Sequence, residues 1–411
     1  MRIGIDARRA FGSGIGRVTS NLVEGLIANV SDHEFVIFGK ETPSLTKFSN
    51  VEVIPADFAF FSVEDLYAFP ELIERCRVDV FLAPQFYISP YLPCPSIKMV
   101  HDMWPVIFPE WIPSEREFCA RFGRQSWEGL VHFAGRFLSR YSAGQIFPNN
   151  AFLEQKVRKH SSDLREIYMI GMMAETLHSS TAIIIPSIHT FGEVTGSFPE
   201  VANKLHFITN FPAPVFVHAP LAPRGGYVLH VSKWERRKNI ENVIRACELV
   251  RERFDHIQLI LVGDPSYPEY AQELKRLITE GGRAAWISHL GVVQDGELAD
   301  LYRRADVFLY PSLYEGFGIP IIEAMASGTP VVTSNRCSMP EVAAGAALLV
   351  DPCSPTEISD AVIAVLTSAT LGRYLRDKGL QRVTEFTMES AVSALKNLFI
   401  SSLQNAHCET L

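Results

Sequence analysis

Two glutamates separated by seven residues stand in the part of the sequence that carries the most chemical information. Glu315 is followed by Gly316-Phe317-Gly318-Ile319, and Glu323 comes shortly afterwards. Pro320 suits the first position of a helix, and the N–H groups at a helix start bind phosphate or sugar oxygens. The glycines let the backbone approach a ligand closely. The pattern predicts two carboxylates that face one cleft and bind different hydroxyl groups of a ligand.

A basic segment earlier in the chain is a second candidate. It contains Lys233 and Lys238 within the run Ser232-Lys233-Trp234-Glu235-Arg236-Arg237-Lys238. Two fixed cations can neutralise a diphosphate, a task that metal ions perform in other proteins. The sequence offers no D-x-D run and no cluster of histidine and carboxylate ligands. We therefore expect neither a metal site nor a bound cofactor.

The elements that position these residues alternate between short apolar runs and helical patterns. In the second half, the basic segment follows the first apolar run, 227–231, and Glu315 follows the run 307–310. Ligands of open parallel sheets lie beyond the carboxyl ends of the strands. Both candidates therefore fall at the edge where a ligand is expected. The first half starts with a strand at 2–6, a glycine-bearing turn at 12–16 and a helix after it.

This alternation predicts an α/β fold with two Rossmann-like, doubly wound parallel-sheet domains. Residues 1–212 form the first domain and 213–388 the second, with a linker rich in proline and glycine near their junction. A final helix at 389–411 is expected to return to the first domain. Few strand candidates and many aromatic and arginine residues at helical spacing indicate a helical insertion at about 111–177.

Composition excludes several other classes of protein. The chain has 411 residues, of which 47% are hydrophobic and 20% charged, so it is an ordinary globular protein. Its 38 basic and 46 acidic residues give a net charge of -8, which argues against general nucleic-acid binding. The seven cysteines form no C-x-x-C pair and suggest neither disulfides nor a thiolate zinc site. With no membrane-span or signal pattern in the sequence, the expected location is the cytoplasm.

The stretch from about residue 226 to residue 350 resembles the retaining, nucleotide-sugar-dependent glycosyltransferases of family 4, whose GT-B fold has two Rossmann-like domains facing across a cleft. The resemblance includes the two lysines, the glutamate pair and three further motifs, which are Leu290-Gly291, Ala305-Asp306 and Pro340-Glu341-Val342. The first half matches more weakly. It resembles the bacterial polysaccharide mannosyltransferases at Gly14-Ile15-Gly16-Arg17 and at His101-Asp102.

The resemblance implies a donor site in the second domain. Lys233 and Lys238 would hold the donor diphosphate, and Glu323 would bind the ribose hydroxyls. Glu315 and the N–H groups of the glycine segment after it would hold the donor sugar, with Gly291 in the same site. The family usually has Gly-Arg where this chain has Ser232-Lys233. A point charge thus replaces a bidentate contact, which predicts weaker donor binding.

In the first domain, the resemblance implies that Gly14 and Gly16 let a loop close over the diphosphate and the acceptor. His101 would contact the sugar near the reacting carbon. The other positions of this loop and of the acceptor side are Ile15, Arg17 and Asp102. The catalytic residues implied for the whole enzyme are His101, Lys238 and Glu315.

The implied reaction transfers a hexose, with mannose favoured, from GDP-mannose or a UDP-hexose to a saccharide or lipid-linked acceptor with retained configuration. Both same-face attack and double displacement remain open. A non-hydrolysing sugar-nucleotide epimerase and a catalytically silent sugar-nucleotide-binding subunit are the alternatives. A dinucleotide dehydrogenase is the weakest interpretation, because the glycines at 12–16 lack the G-x-G-x-x-G spacing.

The insertion suggests a separate hypothesis about membranes. Between residues 116 and 140, five arginines alternate with aromatic residues. Such a face can rest on anionic lipid at the inner side of a membrane. The alternative is a helix that packs on the core while its arginines extend to solvent.

Overall fold

Parallel β-strands organise the chain in the computed structural model, which describes residues 1–10, 14–42, 45, 47–160, 163–218, 224–265 and 267–409. Contacts between Cα atoms divide the chain into two units. The first unit combines Met1–Thr209 with Met388–Leu411, and the second is Asn210–Thr387. The turn expected at 12–16 and the linker expected near the domain junction lie partly outside the described residues.

A seven-stranded parallel sheet forms the centre of the first unit. Its strands are β1 (Arg2–Asp6), β2 (Glu34–Phe38), β3 (Val51–Ile54), β4 (Val80–Ala83), β5 (Ser96–Met99), β6 (Ala182–Ile185) and β7 (Leu205–Phe207). Their spatial order is β3-β2-β1-β4-β5-β6-β7. The order reverses between β1 and β4, and ligands bind at such a switch point in doubly wound sheets.

Helices flank this sheet, and the central strands are buried along their length. The helices between residues 15 and 197 are α1 (Ile15–Asn29), α2 (Val63–Arg75), α3 (Trp104–Ile107), α4 (Glu115–Phe122), α5 (Arg124–Ser142), α6 (Ala151–His160), α7 (Leu164–Ser179) and α8 (Ile188–Ser197). Helices α4 to α7 confirm the predicted helical insertion.

The aromatic side chains of the insertion form its core. Phe118, Phe133 and Phe137 are each at most 2% exposed. Helices α5 and α7 approach closely, since a Cβ atom at Gly171 would lie 2.6 Å from the ring of Phe137. Two of the arginines also have protein partners, because Arg140 pairs with the buried Glu175 and Arg124 pairs with Glu115. The three phenylalanines therefore stabilise the helices and do not form an exposed face.

The second unit has a six-stranded parallel sheet. Its strands are β8 (Tyr227–Val231), β9 (Gln258–Val262), β10 (Ile287–His289), β11 (Val307–Tyr310), β12 (Val331–Ser334) and β13 (Leu348–Val350). The order β10-β9-β8-β11-β12-β13 again reverses at one point, between β8 and β11. Its helices are α9 (Ile240–Arg251), α10 (Pro268–Thr279), α11 (Asp295–Arg304), α12 (Ile319–Ala326), α13 (Met339–Ala343), α14 (Pro355–Thr367) and α15 (Ala369–Val383). The predicted fold of two doubly wound sheets is confirmed.

The last helix, α16 (Met388–Glu409), packs against α1 of the first unit. A Cβ atom at Gly25 of α1 would lie 2.9 Å from Cγ of Met388, so the two helices meet closely there. Leu395 and Phe399 of α16 are fully buried. The final segment of the chain thus completes the core of its first unit.

Candidate functional site

The candidate site of the second unit lies at the strand switch point. The basic segment follows β8, and the glutamate–glycine segment follows β11, so adjacent strands present both at the same edge. Their closest contact is a buried ion pair in which Nζ of Lys238 donates to Oε1 of Glu315 at 2.5 Å. Nη1 of Arg237 donates to the other carboxylate oxygen at 3.1 Å. Two sequence segments about 77 residues apart therefore form one charged cluster.

Asn239 explains how the basic segment reaches this position. A short 3₁₀ turn, Arg236–Lys238, ends at Asn239, whose backbone is left-handed with φ 60°. Asparagine tolerates this conformation better than most residues. Its side-chain amide donates to the carbonyl oxygens of Pro311 at 2.9 Å and Pro352 at 2.7 Å. The turn is thereby held against the segment that carries Glu315.

Tyr310 joins the same cluster and was not predicted from the sequence. Its hydroxyl donates to Oε1 of Glu315 at 2.7 Å and accepts from Nζ of Lys238 at 3.1 Å. Its position as the last residue of β11 was the available signal, because the carboxyl end of a strand faces the ligand edge. Arg237 was likewise missed, although it stands between two predicted residues in the basic run.

The charges in this cluster depend on one another. Burial by itself raises the pKa of Glu315. The adjacent charges of Lys238 and Arg237 lower it by more than burial raises it, so the carboxyl pKa lies below its usual range. Burial and repulsion from Arg237 lower the pKa of Lys238, and Glu315 opposes this effect. Glu315 is therefore ionised near neutral pH. Its negative charge is balanced by protein cations.

The glycine segment has its own anchor. The hydroxyl of Ser338 donates to the carbonyl oxygens of Glu315 at 2.8 Å and Phe317 at 3.1 Å. Gly318 precedes α12 with φ 96°, a conformation that disfavours a side chain. Ile319 then begins the helix, with Pro320 in its first turn, as the sequence indicated. The segment from Gly316 onwards is thus fixed at the start of α12.

Glu323 lies on α12 and is 1% exposed. The hydroxyl of Tyr302 on α11 donates to its Oε2 atom at 3.1 Å. Tyr302 itself is fully buried, and its carbonyl oxygen accepts from the hydroxyl of Thr329. The second glutamate is therefore held by packed neighbours in the same unit.

Three strand ends converge beside the basic segment. Lys233 follows β8, Gly263 follows β9 and Gly291 follows β10. The N–H of Gly263 donates to the carbonyl oxygen of Gly291 at 2.8 Å. A Cβ atom at Gly263 would lie 1.8 Å from the carbonyl oxygen of Ser232, so only glycine fits there. Gly263 was missed because a lone glycine after a strand carries no specific sequence signal.

His101 lies at the corresponding edge of the first unit, shortly after β5. Its Nε2 atom lies 2.7 Å from the carbonyl oxygen of Pro84, which can only accept, so Nε2 carries the proton. Burial lowers the pKa of His101, and the imidazole is therefore neutral near pH 7 with Nδ1 as an acceptor. Asp102 follows it and is partly buried.

The glycine motif near the start of the chain differs from the sequence interpretation. Gly14 is exposed with φ 65° and directly precedes α1, which begins at Ile15. The N–H groups of Arg17 and Val18 bind the carbonyl oxygen of Gly14. Ile15 and Gly16 therefore belong to the first turn of a helix, so the prediction that the turn extends through residue 16 is wrong, whereas the helix predicted from Arg17 is confirmed. Residues 11–13 are outside the described chain.

The structure thus gathers at one edge of the second unit the donor residues that were predicted in the second half of the chain, but not Gly14 and Gly16. His101, Asp102 and residues 14–17 belong to the first unit. Within the described ranges, no group of three or more histidine, cysteine, aspartate or glutamate side chains is arranged to hold a metal ion. None of the helices in the described part of the chain is long and apolar enough to cross a bilayer.

Comparison with known proteins agrees with this geometry. Residues 219–382 match the family model "Glycosyl transferases group 1". O-antigen chain mannosyltransferase B of Escherichia coli is 34% identical over 253 residues, which are 58% of this chain and 65% of that protein. The chain therefore spans slightly less than two thirds of that relative.

Two solved structures share the fold along almost the whole chain. Sucrose-phosphate synthase from Thermosynechococcus elongatus has a TM-score of 0.67 at 18% identity and covers 98% of both chains. HepE from Anabaena, solved with UDP and glucose, has a TM-score of 0.66 at 16% identity and covers 98% of this chain and all of that chain. At such identities the likeness concerns the fold. Residues 219–382 of this protein therefore form a glycosyl transferases group 1 domain, within a fold shared with the GT-B glycosyltransferases.

Proposed function

We propose that this protein is a retaining glycosyltransferase that moves a hexose from a nucleoside diphosphate sugar to an acceptor hydroxyl without a metal ion. The observation that carries the proposal is the cluster of Lys238, Arg237 and Glu315 beside the start of α12. It lies at the switch point of the sheet, inside the matched domain. Fixed cations and helix N–H groups in that place suit a diphosphate.

Bond cleavage between the anomeric carbon and the phosphate oxygen leaves negative charge on the departing diphosphate. Lys233 and Lys238 stabilise that charge, and the N–H groups at the start of α12 act in the same way. Glu315, ionised and held by Lys238, accepts hydrogen bonds from sugar hydroxyls. Glu323 does the same for the ribose. This arrangement supplies the leaving-group stabilisation that the oxocarbenium-like transition state requires.

We favour mannose as the transferred sugar and GDP-mannose as the donor, with UDP-hexoses next. The support is the similarity to the Escherichia coli relative, which is named as an O-antigen chain mannosyltransferase. The HepE complex with UDP and glucose supports the UDP alternative. By the same likeness, the acceptor is a saccharide or a lipid-linked saccharide, and the process is polysaccharide or glycolipid biosynthesis.

A non-hydrolysing epimerase and a catalytically silent donor-binding subunit remain the competing functions. An epimerase would convert a donor that is mixed with the enzyme alone, and proton NMR of the sugar anomeric signals would detect the new isomer. A silent subunit would bind the donor but release no nucleoside diphosphate with any acceptor. The proposed transferase requires nucleoside diphosphate release that depends on an acceptor.

Calorimetric titration in the presence of EDTA tests the donor site. The ligands are GDP-mannose, UDP-glucose, UDP-galactose and UDP-N-acetylglucosamine. We expect one of them to bind to the wild type and to lose affinity by about 10-fold or more in Glu323→Ala, because ribose hydrogen bonds to a carboxylate are lost. Glu252→Ala, an exposed glutamate beyond the end of α9, is the matched control. Binding that needs added divalent metal would contradict metal independence.

We place the protein in the cytoplasm, with peripheral contact to the inner membrane face. Because Phe118, Phe133 and Phe137 are buried, the exposed arginines carry most of such contact. Flotation with vesicles of phosphatidylglycerol tests it, and binding should disappear in about 0.5 M salt. The variant is Arg116→Glu with Arg136→Glu, which spares the buried pair of Arg140. Flotation that the variant leaves unchanged would remove the membrane contact.

A further inference from the structure

Two neighbouring arginines after β1 have opposite environments. The guanidinium of Arg8 is 3% exposed and forms ion pairs with Asp6 at 2.9 Å and with Asp65. Arg9 has no carboxylate within ion-pair distance among the described residues, and its guanidinium forms no hydrogen bond to them. Partly buried arginine is normally paired, because an unpaired charge loses hydration without compensation. Arg9 is therefore a cation for which the described protein supplies no anion at ion-pair distance.

Aromatic rings surround the Arg9 guanidinium. The distances from its Cζ atom to the ring centroids are 4.4 Å for Phe60, 5.4 Å for Phe61, 5.7 Å for Tyr87 and 6.0 Å for Phe122. Cation–π contacts stabilise the charge only partly. Burial lowers the pKa of Arg9, the cations Arg121 and Arg8 act in the same direction, and Tyr87 and Asp6 oppose them. The rings form apolar walls around a partly buried positive centre.

The position of this centre points to a ligand. Arg9 follows β1 and Gln85 follows β4, which are the two strands at the switch point of the first sheet. Nε2 of Gln85 lies 3.3 Å from Asp6, whereas its Oε1 atom is buried and has no partner among the described residues. A buried acceptor without a donor is costly unless a ligand or water satisfies it. The carboxyl edge thus offers both an unpaired cation and an unpaired hydrogen-bond acceptor.

We infer that Arg9 and its aromatic walls bind a phosphate group carried by the acceptor, while Gln85 accepts a hydrogen bond from an acceptor hydroxyl. The guanidinium fork matches two phosphate oxygens, and the rings give an apolar face against which a sugar or lipid portion can pack. The inference rests on the proposed transferase function and adds the chemical class of the acceptor. The phosphate belongs either to a soluble sugar phosphate or to a lipid phosphate.

Calorimetric titration of the full-length chain tests the inference with four probes. Mannose 1-phosphate is compared with mannose, and dihexanoyl phosphatidic acid with dihexanoyl phosphatidylcholine. We expect at least one phosphate monoester to bind the wild type, with the neutral or zwitterionic partner binding much more weakly. The phosphate probe that binds better identifies the source of the group. Arg9→Met should weaken its binding by about 10- to 100-fold, the loss expected for a charged hydrogen-bond partner.

Two control variants separate the sites. Arg158→Met removes an exposed arginine of α6 and should leave phosphate binding unchanged. Lys233→Met weakens the proposed donor site in the second unit. If the phosphate probe still binds Lys233→Met but not Arg9→Met, the probe binds to the first unit. Equal binding by wild type and Arg9→Met, or no binding of either phosphate probe to the wild type, would overturn the inference.

Thermal unfolding of each variant guards against a folding defect. If Arg9→Met unfolds, Arg9→Lys keeps the charge among the rings but lacks the fork, and it should bind the phosphate probe about 10-fold more weakly at an unchanged melting temperature. Unchanged phosphate binding in Arg9→Lys would then overturn the inference. Donor titration of Arg9→Met should match the wild type. If neither the wild type nor any variant binds a donor, the transferase function is refuted, whereas the measured effect of Arg9 on phosphate binding still holds.

Discussion

Lys238 and Glu315 form a buried pair in which each charge stabilises the other. The substitution Lys238→Met leaves the carboxylate with Arg237 and Tyr310 as its remaining partners. We expect the free energy of unfolding to fall by about 3 kcal/mol, the low end of the range for breaking a buried pair. Urea unfolding measures the loss, and donor titration should show weaker binding in the same variant.

The double variant Lys238→Met with Glu315→Leu is the control for this prediction. Removing both charges avoids an uncompensated buried charge, so we expect the double variant to be more stable than Lys238→Met alone. It should nevertheless fail to bind the donor. A single variant as stable as the wild type would show that the pair does not contribute to folding.

His230 links the donor cluster to pH. Its Nδ1 atom donates to the carbonyl oxygen of Leu309 at 2.8 Å, and its Nε2 atom accepts from the hydroxyl of Ser232 at 2.7 Å. Burial is the main cause that lowers the pKa of His230 to about 4. The charge of Lys238 also lowers this pKa, whereas the hydrogen bond to Leu309 and the charge of Glu315 raise it. In the unfolded chain, histidine takes up a proton near pH 6.5. The lowered pKa of His230 therefore stabilises the folded state fully above pH 6.5, and this stabilisation is lost as the pH falls towards 4.

The expected size of this effect is about 3 kcal/mol between pH 7 and pH 4. Over this pH range, the free energy of unfolding should therefore fall by about 3 kcal/mol more in the wild type than in His230→Gln, because glutamine cannot take up a proton. Urea unfolding of both proteins at pH 7, 5.5 and 4 provides the measurement. Parallel pH dependences would show that His230 keeps an ordinary pKa.

At the residue level, the sequence identified the residue types of the donor cluster but not their contacts. Lys238 and Glu315 were predicted to hold different parts of a ligand, and the structure joins them directly. Tyr310 and Gly263 could not be selected beforehand. Their importance depends on which strand ends lie side by side, and the strand order is a property of the sheet.

Among the elements, helix α5 shows how one glycine sets the approach of another segment. A Cβ atom at Gly129 would lie 1.9 Å from the carbonyl oxygen of Phe61, and backbone cannot move aside cheaply. Gly135 of the same helix is exposed with open space around it. We expect Gly129→Ala to cost about 3 kcal/mol through overpacking, and Gly135→Ala to gain up to about 1 kcal/mol through helix propensity.

Urea unfolding of both alanine variants distinguishes packing from propensity. The two substitutions add the same methyl group to the same helix, so only the surroundings of the Cβ atom differ. Equal effects of the two changes would contradict the close approach of α5 to residue 61.

Element types were predicted well from periodicity, and helix starts less well. The strands and helices of the second unit follow the apolar pattern closely, because a buried parallel strand and an amphipathic helix have distinct spacing. The start of α1 was misplaced. Glycine favours a turn in sequence terms, but the carbonyl oxygen of Gly14 accepts from Arg17 and Val18, and the helix extends through Gly16.

At the scale of the molecule, the last segment of the chain belongs to the first unit. Truncation after residue 387 removes Leu395 and Phe399 from the core beside α1. Each fully buried side chain of this size contributes about 1.5–3 kcal/mol. We therefore expect α1 to lose protection from amide hydrogen exchange, while donor binding largely persists because Lys233, Lys238, Glu315 and Glu323, the proposed donor contacts of the second unit, lie within Asn210–Thr387.

Hydrogen exchange with peptide resolution checks this prediction, and donor titration of the truncated protein is its internal control. Protection of α1 equal to that in the full chain would show that α16 is dispensable for the first unit. If the truncated protein loses donor binding while the protection of α1 is unchanged, the removed segment would support the second unit and not the first.

The sequence by itself determined the fold class, the helical insertion and the residue types of the donor site. Those features follow from local periodicity, from turn residues and from short motifs such as the glutamate pair. Tertiary structure decided which charges compensate one another. Arg8 and Arg9 are adjacent arginines and both contact aromatic rings, yet among the described residues only Arg8 is paired with carboxylates, those of Asp6 and Asp65. Asp65, Phe60 and Tyr87 come from segments distant in the sequence, so only packing distinguishes the two arginines.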